Sequence, residues 1–71
     1  SRDWNEIVGK TIAKHCRPVN LNKGSLAIAV DSSPWLSELE RYSKETMLGK
    51  IQERFGKRMV NQIKFRIGTI K

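Results

Sequence analysis

Trp4, Ile7, Val8 and Ile12 recur at i, i+3, i+4 and i+8, an apolar stripe along one side of a helix. Asp3 stands where an N-cap would, and Glu6 three residues later completes a capping-box pattern. Lys14 and His15 fall in the last turn, where positive charge complements a helix C-terminus. Pro18 cannot continue a helix, so this element is expected to end by about Cys16. The period then changes to two. Val19 and Leu21 alternate with Pro18 and Asn20, Asn22-Lys23-Gly24 supplies turn chemistry, and Leu26, Ile28 and Val30 alternate with Ser25, Ala27 and Ala29. This is a hairpin, and the alanines leave one side of its second strand low enough for something to pack closely.

Asp31-Ser32-Ser33-Pro34 stops the strand and restarts a helix, with Ser33 as the expected cap and Pro34 at the first helical position. The helical stretch runs to Phe55, but its apolar stripe does not hold one heading. At about 100° per residue from Trp35, Leu36, Leu39 and Tyr42 fall at about 100°, 40° and −20°. Met47, Leu48, Ile51 and Phe55 fall at about 120°, 220°, 160° and 200°. A straight helix cannot aim both groups at one core. Two helices are expected, or one with a sharp bend, with Ser43 able to cap the second. Gly56 ends that helix in a left-handed cap position. In the last segment Ile63, Phe65 and Ile67 alternate with Gln62, Lys64 and Arg66, the cleanest strand pattern in the chain. The order α-β-β-α-α-β predicts an α+β fold, a three-stranded sheet with helices packed on one face.

At 71 residues the chain is one domain, 1–71, with 38% apolar residues, enough for one core. Its abrupt start and finish point to a domain cut from a longer chain. One Cys allows no internal disulfide, and one Cys with one His is too few for a zinc site, so no metal or other cofactor is expected. The absence of staples fits a reducing cytoplasm. No apolar run approaches the roughly 18 residues of a membrane span, and no secretory signal pattern precedes the first helix.

The net charge of +7 is unevenly placed. From Arg54 to Lys71 six basic residues (Arg54, Lys57, Arg58, Lys64, Arg66 and Lys71) meet no acidic one, so that segment holds +6 and residues 1–53 hold +1. Such asymmetry speaks about partners, with nucleic-acid phosphate ahead of an acidic protein surface and of anionic lipid. Lys57 and Arg58 enter the last strand, and Lys64 and Arg66 project from one side of it. Residues two apart on a strand stand roughly 6.6–7 Å apart, comparable to the spacing of successive phosphates. Lys50 and Arg54, one helical turn apart, extend the candidate patch. Phe65 alternates to the core side, so no aromatic platform for base stacking is expected, and backbone binding is favoured over base reading.

Catalysis finds little support. His15 and Cys16 are neighbours at a helix end, so their side chains should diverge by about 100°. They read as a capping histidine and a small buried thiol. Glu38 and Glu40 point apart, Glu45 and Glu53 read as solvated charge, and the glycines never cluster into a phosphate loop. A non-enzyme acting on no small-molecule substrate is expected. Trp4 and Trp35 each open a helix and are expected to cover core, with Trp35 also a candidate anchor for a partner.

The run Trp4, Ile7-Val8-Gly9, Ile12-Ala13, His15, Pro18, Gly24-Ser25-Leu26, Val30, Ser33, Trp35, Leu39, Gly56 and the closing Ile63-Lys64-Phe65-Arg66-Ile67-Gly68 resembles the DciA family of bacterial proteins. The resemblance covers essentially the whole chain. It implies a K-homology-like fold of the type II order, in agreement with the order above, and a role in initiating DNA replication. It further implies binding of the hexameric replicative helicase DnaB, its placement on single-stranded or tailed DNA, and a flexible extension beyond this domain in family members. RNA-binding K-homology domains clamp a strand with a Gly-x-x-Gly loop, whereas the equivalent turn here is Arg41-Tyr42-Ser43-Lys44, without glycine. The basic patch is therefore the better candidate for nucleic acid. The alternatives are a ribosome-associated, RNA-binding K-homology-like module and a pure protein-interaction domain.

Overall fold

The computed structural model describes residues 2–70; Ser1 and Lys71, the last of the basic residues counted above, lie outside them. The elements are α1 (Arg2–Val8), α2 (Lys10–Ala13), β1 (Cys16–Asn22), β2 (Ser25–Val30), α3 (Ser33–Glu38), a π-helical turn (Leu39–Ser43), α4 (Lys44–Phe55) and β3 (Gln62–Ile67). The three strands form a mixed sheet in the order β1-β2-β3, with β1 antiparallel to β2 and β3 parallel to β2. The hairpin explains the first pairing, and the helical crossover between β2 and β3 permits the second. The result is the expected α+β fold, its element order consistent with a K-homology-like domain.

The first helix is broken where an unbroken one was expected. Gly9 takes φ +94° and ψ 148°, which separates α1 from α2. Trp4, Ile7 and Val8 still reach the core, and Ile12 packs at its margin. Asp3 lies inside the first turn rather than capping it, and pairs with Arg54 at 3.3 Å. The chain leaves the helix at Ala13, so Cys16 opens β1 instead of closing a helix.

β1 departs from its expected alternation. A bulge between Pro18 and Asn20 shifts the register, so Pro18 pairs with Ile28 and Leu21 with Leu26, while Val19 is left exposed. At the turn Gly24 has φ +85°, and a side chain there would collide with Asn61, whose backbone N–H bonds the Gly24 carbonyl.

The second helical stretch resolves its conflict of headings without a loop. A π-helical turn holds one residue more than an α-turn, which rotates everything after it by about 100° relative to what precedes. Leu39 at its start and Met47 and Ile51 after it thereby enter one core with Ile28, Ile63 and Phe65. The cap of α3 is Ser32, whose Oγ accepts from the Trp35 N–H at 3.4 Å, one residue earlier than expected. Ser43 makes no side-chain cap. Gly56 has positive φ but an extended ψ of 151°, so it terminates α4 outside the left-handed helical region. Among the described residues no helix is long and apolar enough to cross a membrane.

Candidate nucleic-acid interface

Strand pairing decides which residues share the helix-free side of the sheet. Ile28, Ile63 and Phe65 face the helices, so their neighbours point the other way. The register sets Arg17 opposite Ala29 and Ala29 opposite Arg66, one row across all three strands. The next row is Asn20, Ala27 and Lys64, and the last is Asn22, Ser25 and Gln62. No acidic residue occurs in these rows.

The central positions Ala27 and Ala29 are low, while the flanking strands carry long cationic side chains. With strands about 4.8 Å apart, the Arg17 and Arg66 backbones stand roughly 10 Å apart across the sheet. Gly68 continues the β3 ladder, its N–H bonding the Val30 carbonyl at 2.9 Å, and a Cβ there would press to 3.1 Å on the Ala29 methyl. Of the two alanines only Ala27 is partly open, as is Ser25 in the last row. The face is therefore a shallow cationic trough without aromatic side chains, able to hold anionic backbone.

Of the residues picked out by sequence, Lys64 and Arg66 lie together on this face. Lys50 and Arg54 do not join them. They line a cleft between α1 and α4 with Glu6 and Glu53, on the helical layer, where Asp3 holds Arg54. Lys57 and Arg58 precede Met59 and Val60, which border a groove beside α1 and α4, so they stand at that end of the molecule. Arg17 was missed. Its alternation with Cys16 and Pro18 was visible in the sequence, but its alignment with Arg66 through β2 comes from pairing.

Trp35 is half-buried and stacks on His15, with ring centroids 4.3 Å apart and planes 16° from parallel. His15 Nδ1 meets Asp31 Oδ2 at 3.0 Å, so the imidazole is held from two sides. A shallow hollow lined by Ile12, Pro34, Trp35, Glu38 and Ser43 lies beside the stack. Trp4, by contrast, is core, its indole Nε1–H donating to the Cys16 carbonyl at 2.9 Å. Cys16 is fully buried, its Sγ donates to the Ile12 carbonyl at 3.4 Å, and burial pushes the thiol up to about 11. Such a thiol is a poor nucleophile, and the His15 ring is turned to Asp31. Arg41-Tyr42-Ser43-Lys44 belongs to continuous helix, with no loop to clamp a strand. Among the described residues no three His, Cys, Asp or Glu side chains gather as a metal site.

The family model described as "Dna[CI] antecedent, DciA" matches residues 1–65 of the chain. UPF0232 proteins of Mycobacterium tuberculosis and Mycobacterium leprae are each 36% identical to it over 61 residues, covering 86% of this chain and 32% of the relative. The UPF0232 protein of Mycobacterium ulcerans is 34% identical over 61 residues with the same coverage. The chain thus spans 32% of the length of these curated relatives.

Proposed function

Because the chain belongs to the DciA family, we propose that it is the non-catalytic DNA-holding domain of a loader for the replicative helicase DnaB, acting in the cytoplasm at replication initiation. The observation that carries the DNA-holding part is the acid-free sheet face, where Arg17, Lys64 and Arg66 flank a floor of alanines. Single-stranded or tailed DNA would lie along this face. Lys64 and Arg66 stand about 6.6–7 Å apart and take neighbouring phosphates, while Arg17 contacts the strand from the other rail. Ala27 lets the backbone approach, and the lack of an aromatic platform makes the contact tolerant of sequence.

Lys57 and Arg58 extend the positive field at the loop end of the sheet. Lys50 and Arg54 contribute least, since Asp3, Glu6 and Glu53 stand around them. For the helicase contact Trp35 is the candidate anchor, a half-exposed indole set in place by His15. RNA binding is the weaker reading, because continuous helix occupies the position of a Gly-x-x-Gly clamp.

The test is titration of a fluorescent single-stranded oligonucleotide at several salt concentrations. The triple variant Arg17→Glu, Lys64→Glu, Arg66→Glu should bind at least about tenfold more weakly at low salt. Its log–log salt slope should fall by about 2, near 0.7 for each lost phosphate contact. Lys50→Glu should change little. Loss of binding with Lys50→Glu and none with the triple variant would move the site to the helical layer. A strong preference for RNA in competition would replace DNA as the ligand.

A further inference from the structure

Opposite the open sheet face, a groove of about 280 Å³ runs between α1, β1, the end of α4 and the loop before β3. Trp4, Ile7, Leu26, Ile51 and Val60 form its floor and belong to the core or its margin. Its walls are Leu21, Phe55 and Met59, exposed to 45%, 49% and 52%. Three large apolar side chains converging half-exposed on one groove make a patch, unlike single exposed leucines, which need no explanation.

We propose that this groove receives an amphipathic α-helix of a partner protein, apolar on the seated side and flanked by carboxylates. Within two residues of the three wall positions in sequence stand Lys23, Lys57 and Arg58 against Glu53 alone, Arg54 being paired with Asp3, and this positive excess selects the acidic partner. Lys57 and Arg58 lie in sequence between Phe55 and Met59, and Lys23 follows Leu21 by two residues, all three exposed. Asp3 is the one acidic residue lining the groove, and Arg54 already neutralises it at 3.3 Å. The chemistry of β1 selects a helix over a strand. β1 is an edge strand, but Pro18 lacks an N–H and the bulge after it interrupts the ladder, so an added strand finds no continuous pairing. A second copy of this chain is a poor occupant, because the sides of α1 and α4 that carry Trp4, Ile7, Met47 and Ile51 are already buried in its own core, and each copy carries +7. Side chains spaced i, i+3 or i+4, and i+7 on the entering helix would contact Leu21, Phe55 and Met59.

The experiment uses the 71-residue chain, ¹⁵N-labelled, and two synthetic lactam-bridged peptides of about four turns. Both carry leucines at i, i+3, i+4 and i+7; one has glutamates beside the stripe and the other lysines. Amide shift changes from the glutamate peptide should centre on Leu21, Phe55 and Met59, and it should bind at least about tenfold more tightly than the lysine peptide. The exposed Lys57→Glu, Arg58→Glu pair should reverse that preference while the spectrum remains that of the folded chain. Leu21→Ser should weaken the glutamate peptide about fivefold or more. Equal binding of the two peptides, shifts confined to the sheet face or to Trp35, or no shifts at millimolar peptide would each overturn the proposal. The Arg17, Lys64, Arg66 triple variant should bind the glutamate peptide within about twofold of the unaltered chain, which separates this result from that for DNA.

Discussion

At Cys16 burial raises the thiol from its ordinary 9.0 to about 11. The same residue accepts the Trp4 indole N–H on its carbonyl, so it joins α1 to the start of the sheet. Below pH 9.0 both folded and unfolded chains keep the thiol proton, and the native state bears no penalty. As pH rises from 9.0 the unfolded chain ionises first, and native stability falls until pH passes about 11. The urea stability of the unaltered chain relative to Cys16→Ala should therefore be flat up to about pH 8.5 and decline by about pH 10.5. Denaturation series of both proteins at these pH values check it, and a difference independent of pH would contradict it. That Cys16 would be a small buried thiol was legible from its type and setting. Its place as the first residue of a strand was not, because Gly9 breaks the helix early and the strand starts sooner than Pro18 implied.

At the scale of elements, the helical segment from Ser33 to Phe55 carries the clearest sequence signal and the least determined geometry. The swing in its apolar heading is plain in the spacing of Leu39, Met47 and Ile51. Two helices, a kink or a π-helical turn all satisfy that spacing; closing one core over β2 and β3 selected the π turn. This has a direct consequence for length variants. Removing Tyr42, which is exposed, takes out the extra residue, regularises the helix and leaves Met47 and Ile51 facing the core. Removing Lys50 instead rotates Ile51 and the rest of α4 by about 100° from the headings they hold against the core. The Tyr42 deletion should therefore fold cooperatively, and the Lys50 deletion should lose cooperative thermal unfolding. Circular dichroism melts compare them, and equal damage from both would argue against this account of the turn.

Across the whole molecule, one layer of helices covers one side of the sheet and leaves the other side cationic. Arg17, Lys64 and Arg66 are exposed and lack acidic neighbours in their rows, so the fold does not depend on them. Their triple reversal to glutamate should shift the melting temperature by no more than a few degrees, about 0.5 kcal/mol or less per site and eased by lower net charge. A loss above about 10 °C would mean that the face has a structural role. Sequence alone determined the order of helices and strands, the core side of β2 and of β3 as far as Phe65 (Ile67 is exposed), and the concentration of charge near the C-terminus, because periodicity and composition are local. It also offered Lys64 and Arg66 as neighbours on one face, a consequence of the two-residue repeat of a strand. Only the tertiary structure decided that Arg17 joins them, that Lys50 and Arg54 instead lie beside Asp3 and Glu6, and that Leu21, Phe55 and Met59 meet at one groove. Those relations depend on strand register and helix packing, which bring together residues far apart in the chain and leave no periodic trace in it.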